Sequence, residues 1–119
     1  MYRLLNKVLE DYKDLTFTFR YPINILIKDK TLLTEEERKY AYHHNTYVDF
    51  LIYNKISKIP LLAIEVDGYK YHKEDNKQKE RDILKNNILS KYNIPLIRLT
   101  TNGSREKDII INKLNNILN

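Results

Sequence analysis

The chain contains no cysteine. No disulfide can staple the fold and no thiolate can hold a soft metal, and the absence agrees with a reducing compartment, so the cytoplasm is the expected location. There is also no apolar run near the roughly 20 residues needed to cross a bilayer. The N-terminus lacks the basic-then-apolar order of a signal peptide, so a soluble protein with no membrane partner is expected. No repeat, linker or low-complexity tail interrupts the chain. Its 119 residues, 42% of them hydrophobic, read as one domain over residues 1–119 around a single core.

Against these absences stands a modest excess of positive charge. Lys and Arg number 21 against 16 Asp and Glu, a net charge of +5, which favours a polyanionic partner. The abundance of Asn, Ile, Lys and Tyr is also what an AT-rich genome produces, so charge acquires meaning only beside a second signal.

That signal lies in residues 47–72, YVDFLIYNKISKIPLLAIEVDGYKYH. Two strand-like apolar runs carry Asp49, Glu65 and Asp67 where a core does not accept charge, because desolvating an isolated carboxylate costs several kcal/mol or neutralises it. The polar NKISK segment between the runs favours a hairpin. If the strands pair about Ser57, Asp49 lies opposite Glu65 and both point to one side of the sheet. Like charges so placed repel, and a divalent cation between them turns repulsion into coordination. Hard carboxylate oxygens without cysteine suit Mg²⁺ or Mn²⁺.

Around this hairpin the chain alternates helix and strand. Leu4, Leu5, Val8 and Leu9 have helical spacing within residues 2–13. LTFTFRYPINILI reads as one bent strand or two short ones, with Pro22 at an edge or a break. Thr34 followed by Glu37 is a capping-box signature for a short helix through TEEERKYAYHH. His43 and His44 are adjacent and so diverge on a helix, which makes them surface residues rather than paired ligands. A long helix follows the hairpin, with Leu84, Ile88 and Tyr92 on its buried stripe, Leu89 beside it, and Lys77, Arg81 and Lys85 as a basic stripe. NIPLIRLT is a short strand carrying Arg98. Ser104 is the expected N-cap of a last helix packing through Ile110, Leu114 and Ile117 or Leu118. This order, with a strand-helix-strand crossover between the third and fourth strands, implies an α/β fold with a mixed sheet of about four strands flanked by helices.

From Val48 to Arg98 these residues resemble the PD-(D/E)XK, or restriction-endonuclease-like, nucleases. The likeness is to the branch of the very-short-patch-repair endonuclease and of the small domains fused to DNA helicases. It rests on VDF at Asp49, IEVDG at Glu65, Asp67 and Gly68, then His72, RDILK with Arg81, Asp82 and Lys85, and PLIRL with Arg98. The resemblance implies a restriction-endonuclease-like sheet and a metal-dependent endonuclease that hydrolyses or nicks DNA. It implies that Asp49, Glu65 and the main-chain carbonyl of Val66 bind Mg²⁺ or Mn²⁺. The family's usual lysine is replaced by Asp67, and Lys85 is then the ammonium supplied from the helix. His72 matches the histidine that assists the chemistry in the repair branch. Many relatives carry a glutamate on the first helix; the equivalent position falls before Met1, and Glu10 is a poor substitute. A homodimer, or fusion to a helicase-like protein, fits the same branch.

Phosphodiester hydrolysis asks for this set of groups on chemical grounds as well. A metal polarises the phosphate, a water becomes nucleophilic near neutral pH, and the leaving oxygen needs a proton or a positive charge. Asp67 can bind a second ion or orient the water, unless it is only a turn residue before Gly68. His72 can accept a proton, as its ordinary pKa is about 6.5. Lys73, Lys77, Arg81 and Arg98 are candidate DNA contacts. The competing reading is a nucleic-acid-binding domain with a nuclease fold and little catalysis, accessory to a helicase.

Overall fold

The computed structural model describes residues 1–43, 46–67, 76–100 and 105–119. His44, Gly68, His72, Lys73 and Ser104, all singled out above, lie outside the described residues. A four-stranded mixed sheet has the order β1 (Leu15–Pro22), β2 (Tyr47–Asn54), β3 (Pro60–Asp67), β4 (Leu96–Thr100). The first three strands are antiparallel, and β4 runs parallel to β3. Parallel neighbours need a crossover, and α4 (Asn76–Lys91) lies between β3 and β4 in the chain.

Alternation along each strand divides the core between two faces. Leu51 and Ala63 pack with Ile23, Leu26, Ala41, Ile88 and Leu89, residues of α2 (Ile23–Leu26), α3 (Glu35–Ala41) and α4. Ile52, Leu62, Ile64 and Leu99 pack with Leu5 and Val8 of α1 (Tyr2–Leu9) and with Ile110 and Leu114 of α5 (Glu106–Leu118). Ile117 joins this second cluster, whereas Leu118 remains exposed. Arg105 occupies the N-cap position of α5.

The hairpin closes as its sequence asks. Asn54 Oδ1 accepts from the amides of Ile56 (2.9 Å) and Ser57 (3.0 Å), and Lys58 adopts the left-handed φ of 65° that the reversal needs. The pairs Phe50–Ile64, Leu51–Ala63 and Ile52–Leu62 are centred on Ser57, with a register shift after Ile52. One step further along, Asp49 faces Glu65.

The segment expected to be one bent strand or two short ones behaves differently in its second half. β1 ends at Pro22, and residues 23–26 form a helical turn. Ile23 and Leu26 are three apart, so one turn buries both, and the Ile23 amide bonds the Thr46 carbonyl at 3.2 Å. Burial on a helical period outweighs strand propensity here.

α3 begins with the complete capping box: Thr34 Oγ1 accepts from the Glu37 amide (3.1 Å) and Glu37 Oε1 from the Thr34 amide (2.8 Å). Glu37 is itself buried and meets the Lys91 ammonium at the end of α4. Burial alone would raise the Glu37 carboxyl, but the Lys91 charge and the Thr34 bonds outweigh it and hold the group below its ordinary value. A carboxyl lowered on folding adds stability above its ordinary pKa, and that stability is lost as pH falls toward the lowered value. Glu37→Gln is therefore expected to destabilise the fold by about 1 kcal/mol at pH 7, a figure reduced for the solvent reaching Lys91. The gap should close as acid protonates the wild-type carboxyl, which urea denaturation at neutral and acid pH measures.

Candidate metal and nucleic-acid site

The end of the β2–β3 hairpin opens into a cleft of about 890 Å³ between α3 and α4. Asp49, Glu65, Val66 and Asp67 line it from the strands, and Gln78, Arg81, Asp82 and Lys85 from α4.

The two hairpin acids are fixed by the strands that carry them. Glu65 Oε2 accepts from the Asp49 amide (2.9 Å), and Asp49 Oδ2 accepts from the Val66 amide (2.8 Å). Each carboxylate thus takes a main-chain donor from the opposite strand, which orients both with little side-chain freedom left. Glu65 is 4% exposed, deep enough that its charge requires a partner. Lys85 supplies one, its ammonium bonding Glu65 Oε1 and the Tyr47 carbonyl (2.9 Å). Burial and the Asp49 charge push the Glu65 carboxyl up, Lys85 pulls it down, and the balance is a raised value.

Lys85 therefore departs from the expected basic stripe. It turns inward, while Lys77 and Arg81 are exposed and only Arg81 of those two lines the cleft. The buried charge of Glu65, twenty positions earlier in the chain, is what draws it in.

Asp67 stands 3.5 Å from Arg98 Nη1. The same guanidinium reaches Asp82 Oδ1 (3.3 Å) and its carbonyl (3.4 Å), and Asn86 Oδ1 (3.0 Å). Arg98 thereby ties β4 and the end of β3 to α4, with Asp82 as its partner on the helix.

Sequence reasoning missed the second wall. Glu36, Lys39, Tyr40 and His43 line the cleft from α3 and the residues just after it. Their spacing was the available signal: i, i+3, i+4 and i+7 share one helical face, while Glu37 and Ala41 take the buried one. The Tyr40 hydroxyl is pushed up to about 12 by burial first and by the charges of Glu65 and Asp82 second. It stays protonated near neutral pH and can only donate or accept a hydrogen bond there. Glu10, on the α1 side of the sheet, is exposed and does not line the cleft.

The hard oxygen donors that β2 and β3 bring to the cleft are the carboxylates of Asp49, Glu65 and Asp67. Mg²⁺ is commonly held by one or two carboxylates, with waters and phosphate oxygens completing its shell. Asp49 Oδ1 accepts no protein hydrogen bond among the described residues, and Glu65 already balances a positive charge. Among the described residues no group of three or more His, Cys, Asp or Glu side chains could hold a metal, so protein ligands to such an ion would be few.

A family model described as a protein of unknown function, DUF2726, matches residues 1–117. The chain belongs to the DUF2726 family. No curated protein and no solved structure matches it. No helix among the described residues is long and apolar enough to cross a membrane.

Proposed function

We propose that this domain is a Mg²⁺- or Mn²⁺-dependent endonuclease that hydrolyses or nicks DNA. The observation that carries the reading is the pair Asp49 and Glu65, held facing each other by main-chain donors at the floor of a cleft with basic groups on its walls. A divalent ion bound by these acids would polarise the phosphate and make a water nucleophilic near neutral pH. Asp49 and Glu65 would hold the ion with the Val66 carbonyl. Lys85 keeps a positive charge beside Glu65, where negative charge develops on the phosphate. Tyr40, protonated and lining the cleft, would donate a hydrogen bond to a bound phosphate. Arg81 and Lys39 attract the strand at the rim, with Lys73, Lys77 and Arg98 as further contacts. His72 is the proposed proton acceptor and Asp67 the proposed orienter of water.

One observation favours a second reading, a nucleic-acid-binding domain with little catalysis. Lys85 already neutralises Glu65, so the protein alone satisfies the charge an ion would otherwise meet. Calorimetric titration with Mn²⁺ separates the two. One ion is expected to bind wild type and to be lost in Asp49→Asn and Glu65→Gln. Equal binding in all three proteins would exclude this site. Absence of binding to wild type, together with salt-dependent DNA binding indifferent to chelator, would establish the second reading.

A further inference from the structure

β1 contains one residue in a conformation that strands avoid. Arg20 has a φ of 51°, the left-handed region that costs energy for any residue with a Cβ. The β1–β2 ladder passes over it: Phe19 pairs with Phe50 and Tyr21 with Val48, leaving Arg20 opposite Asp49 without a Cα partner. The side chain is exposed, so burial does not account for the turn in the backbone. What the conformation achieves is a stack. The guanidinium carbon lies 4.2 Å from the centroid of the Tyr47 ring, and Nη1 donates to the Tyr47 hydroxyl at 3.1 Å. Tyr47 lines the cleft two residues before Asp49, and its carbonyl receives the Lys85 ammonium. A strained arginine is thus anchored to a residue that lines the cleft.

We propose that the Arg20–Tyr47 stack is a nucleotide platform, which takes an unpaired base on the outer face of the guanidinium next to the phosphate held in the cleft. This rests on the nuclease reading and narrows its substrate class. Arg20 is exposed, so the part of the guanidinium not engaged by the Tyr47 ring and hydroxyl is open to a ligand. A guanidinium's planar face suits a base, and its N–H donors suit a phosphate. In a continuous duplex the faces of each base are covered by its neighbours. The platform therefore selects single strands, flaps and frayed ends over intact duplex.

The test is fluorescence anisotropy of the full chain with a labelled single-stranded DNA and a blunt duplex of equal length, in EDTA so that nothing is cut. Wild type is expected to prefer the single strand. Arg20→Ala should bind the single strand about tenfold more weakly, the scale of one lost base stack, with a smaller change for duplex. Arg20→Lys keeps the charge without the plane and should resemble Arg20→Ala. Arg20→Gly relieves the left-handed backbone, so it should melt no lower than Arg20→Ala while binding as weakly. Wild-type affinity in Arg20→Ala or Arg20→Lys would overturn the platform and leave the nuclease reading standing. Failure of wild type to bind either DNA would overturn the platform, whereas the nuclease reading stands or falls on Mn²⁺-dependent nicking.

Discussion

Asp49→Asn is expected to lower Mn²⁺-dependent nicking of supercoiled DNA by about 10³-fold or more, with the melting temperature essentially unchanged. The magnitude follows from losing a Lewis acid worth several kcal/mol of transition-state stabilisation, at about 1.4 kcal/mol per tenfold. The choice of asparagine follows from the local bonding. Asp49 Oδ2 accepts the Val66 amide, and an amide oxygen can still do so, so the substitution removes charge without orphaning a buried donor. Alanine at either acid would be a poorer test. Glu65→Ala strips the Asp49 amide of its acceptor and strands the Lys85 ammonium, so lost activity could reflect a damaged hairpin. Glu65→Gln keeps the acceptor and is the second variant to assay. Nicking at the wild-type rate in both proteins would put the chemistry elsewhere.

Lys85→Met is expected to destabilise the fold by about 3 kcal/mol at pH 7, read as a lower urea midpoint. Breaking a buried ion pair by removing one partner leaves the other charge uncompensated, typically the costliest kind of polar substitution. Both groups are well covered here, with side chains 13% and 6% exposed for Lys85 and Glu65. The methionine stem retains most of the packing, so the loss reports charge rather than volume. Mn²⁺ should restore part of the stability, since a ligand that binds only the folded state stabilises it by mass action. It should not restore nicking if the ammonium acts on the phosphate. Unchanged stability in Lys85→Met would mean that Glu65 carries a proton and needs no counter-ion. Absence of any Mn²⁺ rescue would favour the binding reading over the catalytic one.

The parts of this molecule that were legible in sequence are those fixed by short-range rules. The register of β2 and β3 follows from a five-residue polar turn and a period of two, which sufficed to set Asp49 across from Glu65. The start of α3 follows from Thr34 and Glu37, whose reciprocal bonds need only local backbone. What was illegible depends on partners distant in the chain. Periodicity placed Lys85 on a basic stripe, while the family resemblance put its ammonium at the site; the burial of Glu65 is what turns it inward. The INIL segment favours a strand by composition, yet Ile23 and Leu26 reach a common core only through a helical turn. The α3 wall of the cleft was missed because its residues are ordinary for a solvated helix until α4 is packed beside it.

The way the hairpin ends has a mechanical consequence. Between Asp49 and Val66 the rungs that join β2 to β3 are no longer main chain to main chain: each runs through an acid side chain. The clasp of the two strands and the proposed grip on an ion therefore fall to the oxygens of the same two carboxylates. Whatever draws those oxygens inward also slackens the mouth of the hairpin, and whatever pries the mouth apart disarms the grip.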